Sequence, residues 1–138
     1  MPRFGKRSKR RLQGVNSDLV NLLNEVVKGY DITIIEGLRS AERQAELFAQ
    51  GKSKLDGVTK KSMHQTSRAV DIAPYPVDFS DTKGFYYLAG LMMATAKKMG
   101  FKIRWGGDWN MDQRFSGRGK RGDASQKFDD LVHYEIRS

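Results

Sequence analysis

The sequence predicts an α+β fold, a small sheet with about three helices packed on it, and three observations carry that expectation. Apolar residues recur at helical spacing in two stretches, one around Leu19 and one around Leu88. Short runs rich in β-branched residues stand between and after them. A chain of 138 residues with 38% hydrophobic and 30% charged side chains can bury a real core and stay strongly hydrated. No internal repeat, Pro-rich linker or composition break divides it, so residues 1–138 read as one domain.

The elements follow in order. After the basic cluster "GKRSKRR", Leu19, Leu22, Leu23, Val26, Val27 and Tyr30 fall on one stripe of an amphipathic helix, with Asn16 or Ser17 as N-cap. "DITIIEGL" (Asp31 to Leu38) is short and β-branched, a strand. Ser40 then caps "AERQAELFAQ", a run of good helix formers that ends at Gly51. Lys52 to Met63 has no apolar period and reads as a loop. "AVDIA" is a buried strand. The next helix has the apolar face Phe85, Leu88, Ala89, Met92, Ala96 and Met99, and Gly100 stops it. "FKIRW" (Phe101 to Trp105) is another strand, Gly106 to Asp129 a long glycine-rich polar segment. In the closing strand, "LVHYEI", Val132, Tyr134 and Ile136 alternate with His133 and Glu135.

A formal charge of +9 calls for a polyanionic partner: nucleic acid, a membrane surface or an anionic polymer. The absence of cysteine excludes disulfides and cysteine-built zinc sites. "GKRSKRR" has the charge of a secretory n-region, but the half-polar "LQGVNSDLV" follows it instead of an apolar core. "LAGLMMATA" falls far short of the roughly 20 residues that span a bilayer. The expectation is a soluble protein made in the cytoplasm, with no Sec-type signal and no membrane insertion.

The chemistry centres on Asp71. A buried, unpaired carboxylate costs several kcal/mol, so a carboxylate within "AVDIA" needs a hydrogen-bond donor, a basic side chain or a metal ion. The only two histidines are His64, seven positions earlier, and His133 in the last strand. Two histidines and an aspartate meet the ligand count of a catalytic zinc, which keeps its fourth position for water. On residue types alone the commoner arrangement fits as well: one buried, hydrogen-bonded histidine and one on the surface.

The pattern S-x-H-x-x-x-x-A-x-D (Ser62, His64, Ala69, Asp71), followed by carboxylate-x-x-His (Asp130, His133), resembles the zinc D-Ala-D-Ala peptidase family, of hedgehog/DD-peptidase-like fold. That family includes D,D-carboxypeptidases, the vancomycin-resistance dipeptidases and small phage endolysins that are L-alanyl-D-glutamate peptidases. The likeness is to the endolysins, through "FGKRSKRRLQGV", "GLRSAERQAELFAQGKS", "SMHQTSRAVDIAPYP", "WGGDWN" and "LVHYEI". It implies an antiparallel sheet carrying one zinc on His64, Asp71 and His133, with Asp130 as general base and then acid. Asp129, adjacent, is the weaker match to that position. Arg39, in "GLRS", would anchor a substrate carboxylate or stabilise the oxyanion; its alternative is a surface salt bridge. Ser62 would touch substrate or shape a turn. Trp105 and Trp109 would wall the groove, with core packing an equal account of Trp105. Glu135, on the same side of its strand as His133, could orient the site but reads as a structural polar group.

The implied activity is hydrolysis of the L-Ala–D-Glu bond of peptidoglycan stem peptides by a monomeric phage lysin with no separate wall-binding domain. Such a lysin waits in the host cytoplasm for membrane permeabilisation, commonly by a holin. A D,D-carboxypeptidase or dipeptidase is the alternative within the family. A basic nucleic-acid-binding protein would explain "KRSKRR" and "GRGKRGD" but gives no reason for Asp71, so nucleic acid is not the expected partner. Asp108, Asn110 and Asp112 copy the first positions of a calcium loop. Gln113 and Gly119 replace its glycine and glutamate, which makes calcium a minor expectation beside zinc. Two departures from the family stand out: Ser67 where glycine is common, and "NSDLV" in place of His-Pro-Asp-Leu-Val.

Overall fold

The structure, a computed structural model, describes residues 2–38, 41–51, 67–108, 111 and 130–137. Its elements are α1 (Lys6–Arg11), α2 (Ser17–Val27), β1 (Ile32–Glu36), α3 (Ala41–Ala49), β2 (Ala69–Pro74), α4 (Thr82–Met99), β3 (Lys102–Gly106) and β4 (Asp130–Arg137). The strands form one antiparallel sheet in the order β1-β2-β4-β3. The α+β expectation holds, and the described residues include one helix more than the three or so expected.

Strand periodicity divides the sheet into two unlike faces. Ile32 and Ile34, Val70 and Ile72, Ile103 and Trp105, and Tyr134 and Ile136 form one face, each at most 5% exposed. They pack with Leu19, Leu22, Leu23 and Val26 of α2 and Leu88, Met92 and Ala96 of α4 in one continuous core. The alternate residues, among them Asp71, His133 and Glu135, therefore lie on the opposite face. This two-sided pattern lets charged groups sit on a sheet whose other side is wholly apolar.

The helix ends follow the sequence closely. Asn16 is the N-cap of α2, its Oδ1 accepting from the amides of Asp18 (2.9 Å) and Leu19 (3.2 Å). Asp81 caps α4 through the Gly84 amide, and Gly100 ends it at φ 84°, a left-handed conformation that suits glycine. The cap expected at Ser40 lies outside the described residues.

The additional helix is α1. Its sequence, KRSKRR, has no apolar stripe, and tertiary bonds hold it instead. Ser8 Oγ accepts from the Ile34 amide at 3.1 Å, and Arg11 donates to the Ile34 carbonyl at 2.9 Å. Part of the basic cluster thus docks the chain's own first helix onto β1.

Two irregularities shape the other face. Ser67 has φ 63°, in the left-handed region where the resemblance expects glycine, and its carbonyl accepts from the Asn16 amide at 2.8 Å. Between β3 and β4 the register is regular from Lys102↔Arg137 to Trp105↔Tyr134, and then jumps to Gly106↔Asp130. Leu131, Val132 and His133 stand between those two pairs on β4, where consecutive residues of β3 face them, so the strand bulges. Gly106 is needed there, because a Cβ would overlap the Asp130 carbonyl oxygen.

Candidate metal centre

Asp71 and His133 are direct cross-strand partners in the β2–β4 register. On that shared face His133 Nδ1 lies 3.3 Å from Asp71 Oδ1, with the two side chains 10% and 14% exposed. The bulge supplies the third member. Residues three apart on a regular strand point to opposite faces, so Asp130 and His133 would diverge. The bulge breaks that alternation, and the ligand atoms of Asp71, Asp130 and His133 all lie within 4.8 Å of one another.

His133 is held at both ring nitrogens. Nε2 is 2.9 Å from Glu135 Oε1, while Glu135 Oε2 accepts from Arg104 at 2.9 Å and from Arg137 at 3.1 Å. Burial opposes a charge on His133. The hydrogen bonds to Asp71 and Glu135 and the charges of Asp71 and Asp130 outweigh it, so the metal-free ring has its pKa raised from 6.5 to about 9. Burial would likewise raise Glu135. Its bond with His133, the charge of Arg104 and the bond from Arg137 instead bring it from 4.5 down to about 2.

The donor set fits a metal ion. Two carboxylates and an imidazole converge in a partly buried place, the hard and borderline donors that catalytic zinc takes. Two ligand atoms about 2.0–2.1 Å from one tetrahedral ion stand roughly 3.3 Å apart. The Asp71–His133 separation of 3.3 Å matches that spacing.

Of the residues singled out from the sequence, Asp71, Asp130 and His133 come together. Arg39, Ser62, His64, Trp109, Asn110, Asp112 and Asp129 lie outside the described residues. Trp105 belongs to the core: it is 2% exposed, packs edge-on to Tyr86 and stacks on Tyr134. With Tyr86, Met93 and Asp108 it lines an apolar cavity of about 250 Å³ against α4, which includes none of the three converging residues. Sequence reasoning passed over Arg104 and Arg137. Strand alternation places Arg137 beside Glu135 and His133, a signal that was there to read; Arg104 needs the β3–β4 register.

Comparison with known proteins decides the family. Residues 1–136 match the family model of the phage L-alanyl-D-glutamate peptidases. The chain belongs to this family. The L-alanyl-D-glutamate peptidase of Escherichia phage T5 is 33% identical over 125 residues, which span 87% of this chain and 90% of that protein. The peptidoglycan L-alanyl-D-glutamate endopeptidase CwlK of Bacillus subtilis (strain 168) is 33% identical over 95 residues, 59% of this chain and 56% of that one. Among solved structures, the Serratia marcescens L-Ala D-Glu endopeptidase ChiX aligns with a TM-score of 0.75 at 26% identity, covering 98% of this chain and 90% of its own. This chain is accordingly a peptidase of that family, on a fold it shares with ChiX.

Proposed function

We propose that this chain is a zinc-dependent endopeptidase that hydrolyses the L-Ala–D-Glu bond of peptidoglycan stem peptides during phage-driven host lysis. The observation that carries the reading is the convergence of Asp71, Asp130 and His133 on one sheet face, in a chain of this family. His64, Asp71 and His133 would hold the ion. Zinc, when bound in such a site, lowers the pKa of a water to about 7 and polarises the scissile carbonyl.

Asp130 acts on protons. It accepts one from the attacking water and returns it to the departing amine of D-Glu, so that one carboxylate serves first as base and then as acid. Arg39 would bind a substrate carboxylate through its planar pair of donors, with Ser62 and Trp109 completing the contacts. The charge of +9 suits a wall whose stem peptides and neighbouring polymers are anionic, and the basic surface would supply affinity for it. Reaching that wall from the host cytoplasm would depend on a permeabilised membrane, commonly through a holin. No helix among the described residues is long and apolar enough to cross a membrane itself.

Mass spectrometry of digested murein tests the bond. Free N-terminal D-Glu on the released peptides is the expected product. Release of D-Ala alone would assign the chain to the carboxypeptidase branch.

A further inference from the structure

Glu135 is 2% exposed, the most buried carboxylate among the described residues. A carboxylate so placed is strongly destabilising unless paired and hydrogen-bonded. Arg104 and Arg137 both donate to its Oε2, and their two positive charges more than balance it. Glu135 therefore has no need of a cationic histidine to remain ionised. Its other oxygen, Oε1, can accept a hydrogen bond from His133 Nε2–H, 2.9 Å away.

That bond has a consequence at the far side of the ring. A neutral imidazole with its proton on Nε2 presents a lone pair at Nδ1. Nδ1 faces Asp71 Oδ1 at 3.3 Å, so in that neutral form two acceptors stand opposite each other, a place that a proton fills in the metal-free ring. A shared cation relieves that opposition.

We propose that Glu135, braced by Arg104 and Arg137, is a positioning residue that fixes His133 as the Nε2–H tautomer and makes Nδ1 its metal-binding atom. The inference rests on the metal reading above and adds a second layer to it. Carboxylates that hold a ligating histidine in this way typically contribute 10–100-fold to metal affinity. Arg104 ties the centre to β3, a strand that supplies none of the converging residues, and Arg137 does so from the end of β4, the strand of His133 itself.

The test uses the full chain and zinc alone, without a peptide substrate. Glu135→Ala removes the acceptor, and Glu135→Gln keeps the size of the side chain while removing its charge. Both should weaken zinc binding in chelator competition by about 10–100-fold. Nitrogen-detected NMR of the wild-type zinc complex covers the case in which a variant fails to fold. It should show His133 protonated at Nε2 and ligated through Nδ1. Wild-type affinity in a folded variant, or ligation of His133 through Nε2, would overturn the inference while leaving the metal reading standing. A wild-type chain that binds no zinc would overturn the metal reading, and this inference with it.

Discussion

The indole Nε1 of Trp105 donates to the carbonyl oxygen of Leu131 at 2.8 Å, and so grips β4 inside the bulge that brings Asp130 round to His133. The residue is core by burial, yet its one polar atom holds the backbone on which the candidate site depends. Trp105→Phe keeps an aromatic ring and deletes the donor. Stability should fall by about 1–3 kcal/mol from the lost bond and the lost volume. Turnover of a soluble stem peptide should fall further, by about 10²-fold, since small misplacements of catalytic groups are that costly. A variant with the expected loss of stability and wild-type turnover would show that the bulge holds without the indole.

Asp130 and the zinc ligands should part company under mutation. Replacing His64, Asp71 or His133 with Ala should lower zinc content and activity together, and remove the stabilisation that a bound ion adds by mass action. Asp130→Asn should keep near-stoichiometric zinc and a native melting temperature while losing about 10²–10⁴ in rate, the usual worth of positioned proton transfer. Metal analysis beside steady-state kinetics checks both. Loss of zinc in Asp130→Asn would make Asp130 a ligand, whereas a loss of rate below about tenfold would remove it from the mechanism.

The metal-free protein should have an unusual pH profile. His133 titrates near 9 in the fold against 6.5 when free, so its contribution is complete below 6.5 and is lost as pH rises through 9. Glu135 titrates near 2 against 4.5, so its contribution is complete above 4.5 and is lost as pH falls towards 2. Thermal melts without metal should therefore show these two contributions together between pH 4.5 and 6.5, and decline on either side. Zinc should reverse the alkaline limb: the ion competes with the proton on His133, so its stabilising effect should grow as pH rises towards 9. Equal slopes with and without zinc above pH 7 would contradict that competition.

Ser67, at φ 63°, occupies a conformation that disfavours a side chain by roughly 1–2 kcal/mol. Ser67→Gly should remove that strain while adding freedom to the unfolded chain, for a net gain of about 0.5–1 kcal/mol. Denaturant melts check it. A loss of stability would mean that the serine side chain makes a compensating bond in the fold.

Much of the fold could be read from the sequence because it is written in periodicity. The stripe from Leu19 to Val27 is buried as α2, and Asn16 caps it. Asp71 does stand on a strand between buried neighbours. What escaped reading depends on other parts of the chain. Nothing local makes KRSKRR a helix; Ile34, far along the sequence, does so through Ser8 and Arg11. Likewise the spacing of Asp130 and His133 would put them on opposite faces of a regular strand, and only pairing with β3 reveals the bulge. The partners of Glu135 were hidden for the same reason, since Arg104 reaches it across a register that no single strand encodes.

Salt should separate wall binding from chemistry. If the basic surface supplies affinity for the wall, activity on intact murein should drop as ionic strength shortens the screening length below about 8 Å. Cleavage of a short soluble stem peptide should drop less. Equal losses on the two substrates would assign the effect to the active site or the fold.

The docking of α1 also bears on how the molecule avoids its own kind. β1 ends the sheet on one side, and an outermost strand with open amides and carbonyls is a template on which another chain can add a strand. At Ile34 both groups are already taken, by Ser8 and Arg11. A segment that looks like surplus positive charge thus guards the sheet margin against self-association. Trimming the chain past Lys6–Arg11 would expose that margin to aggregation, and a fusion partner is best joined ahead of this helix.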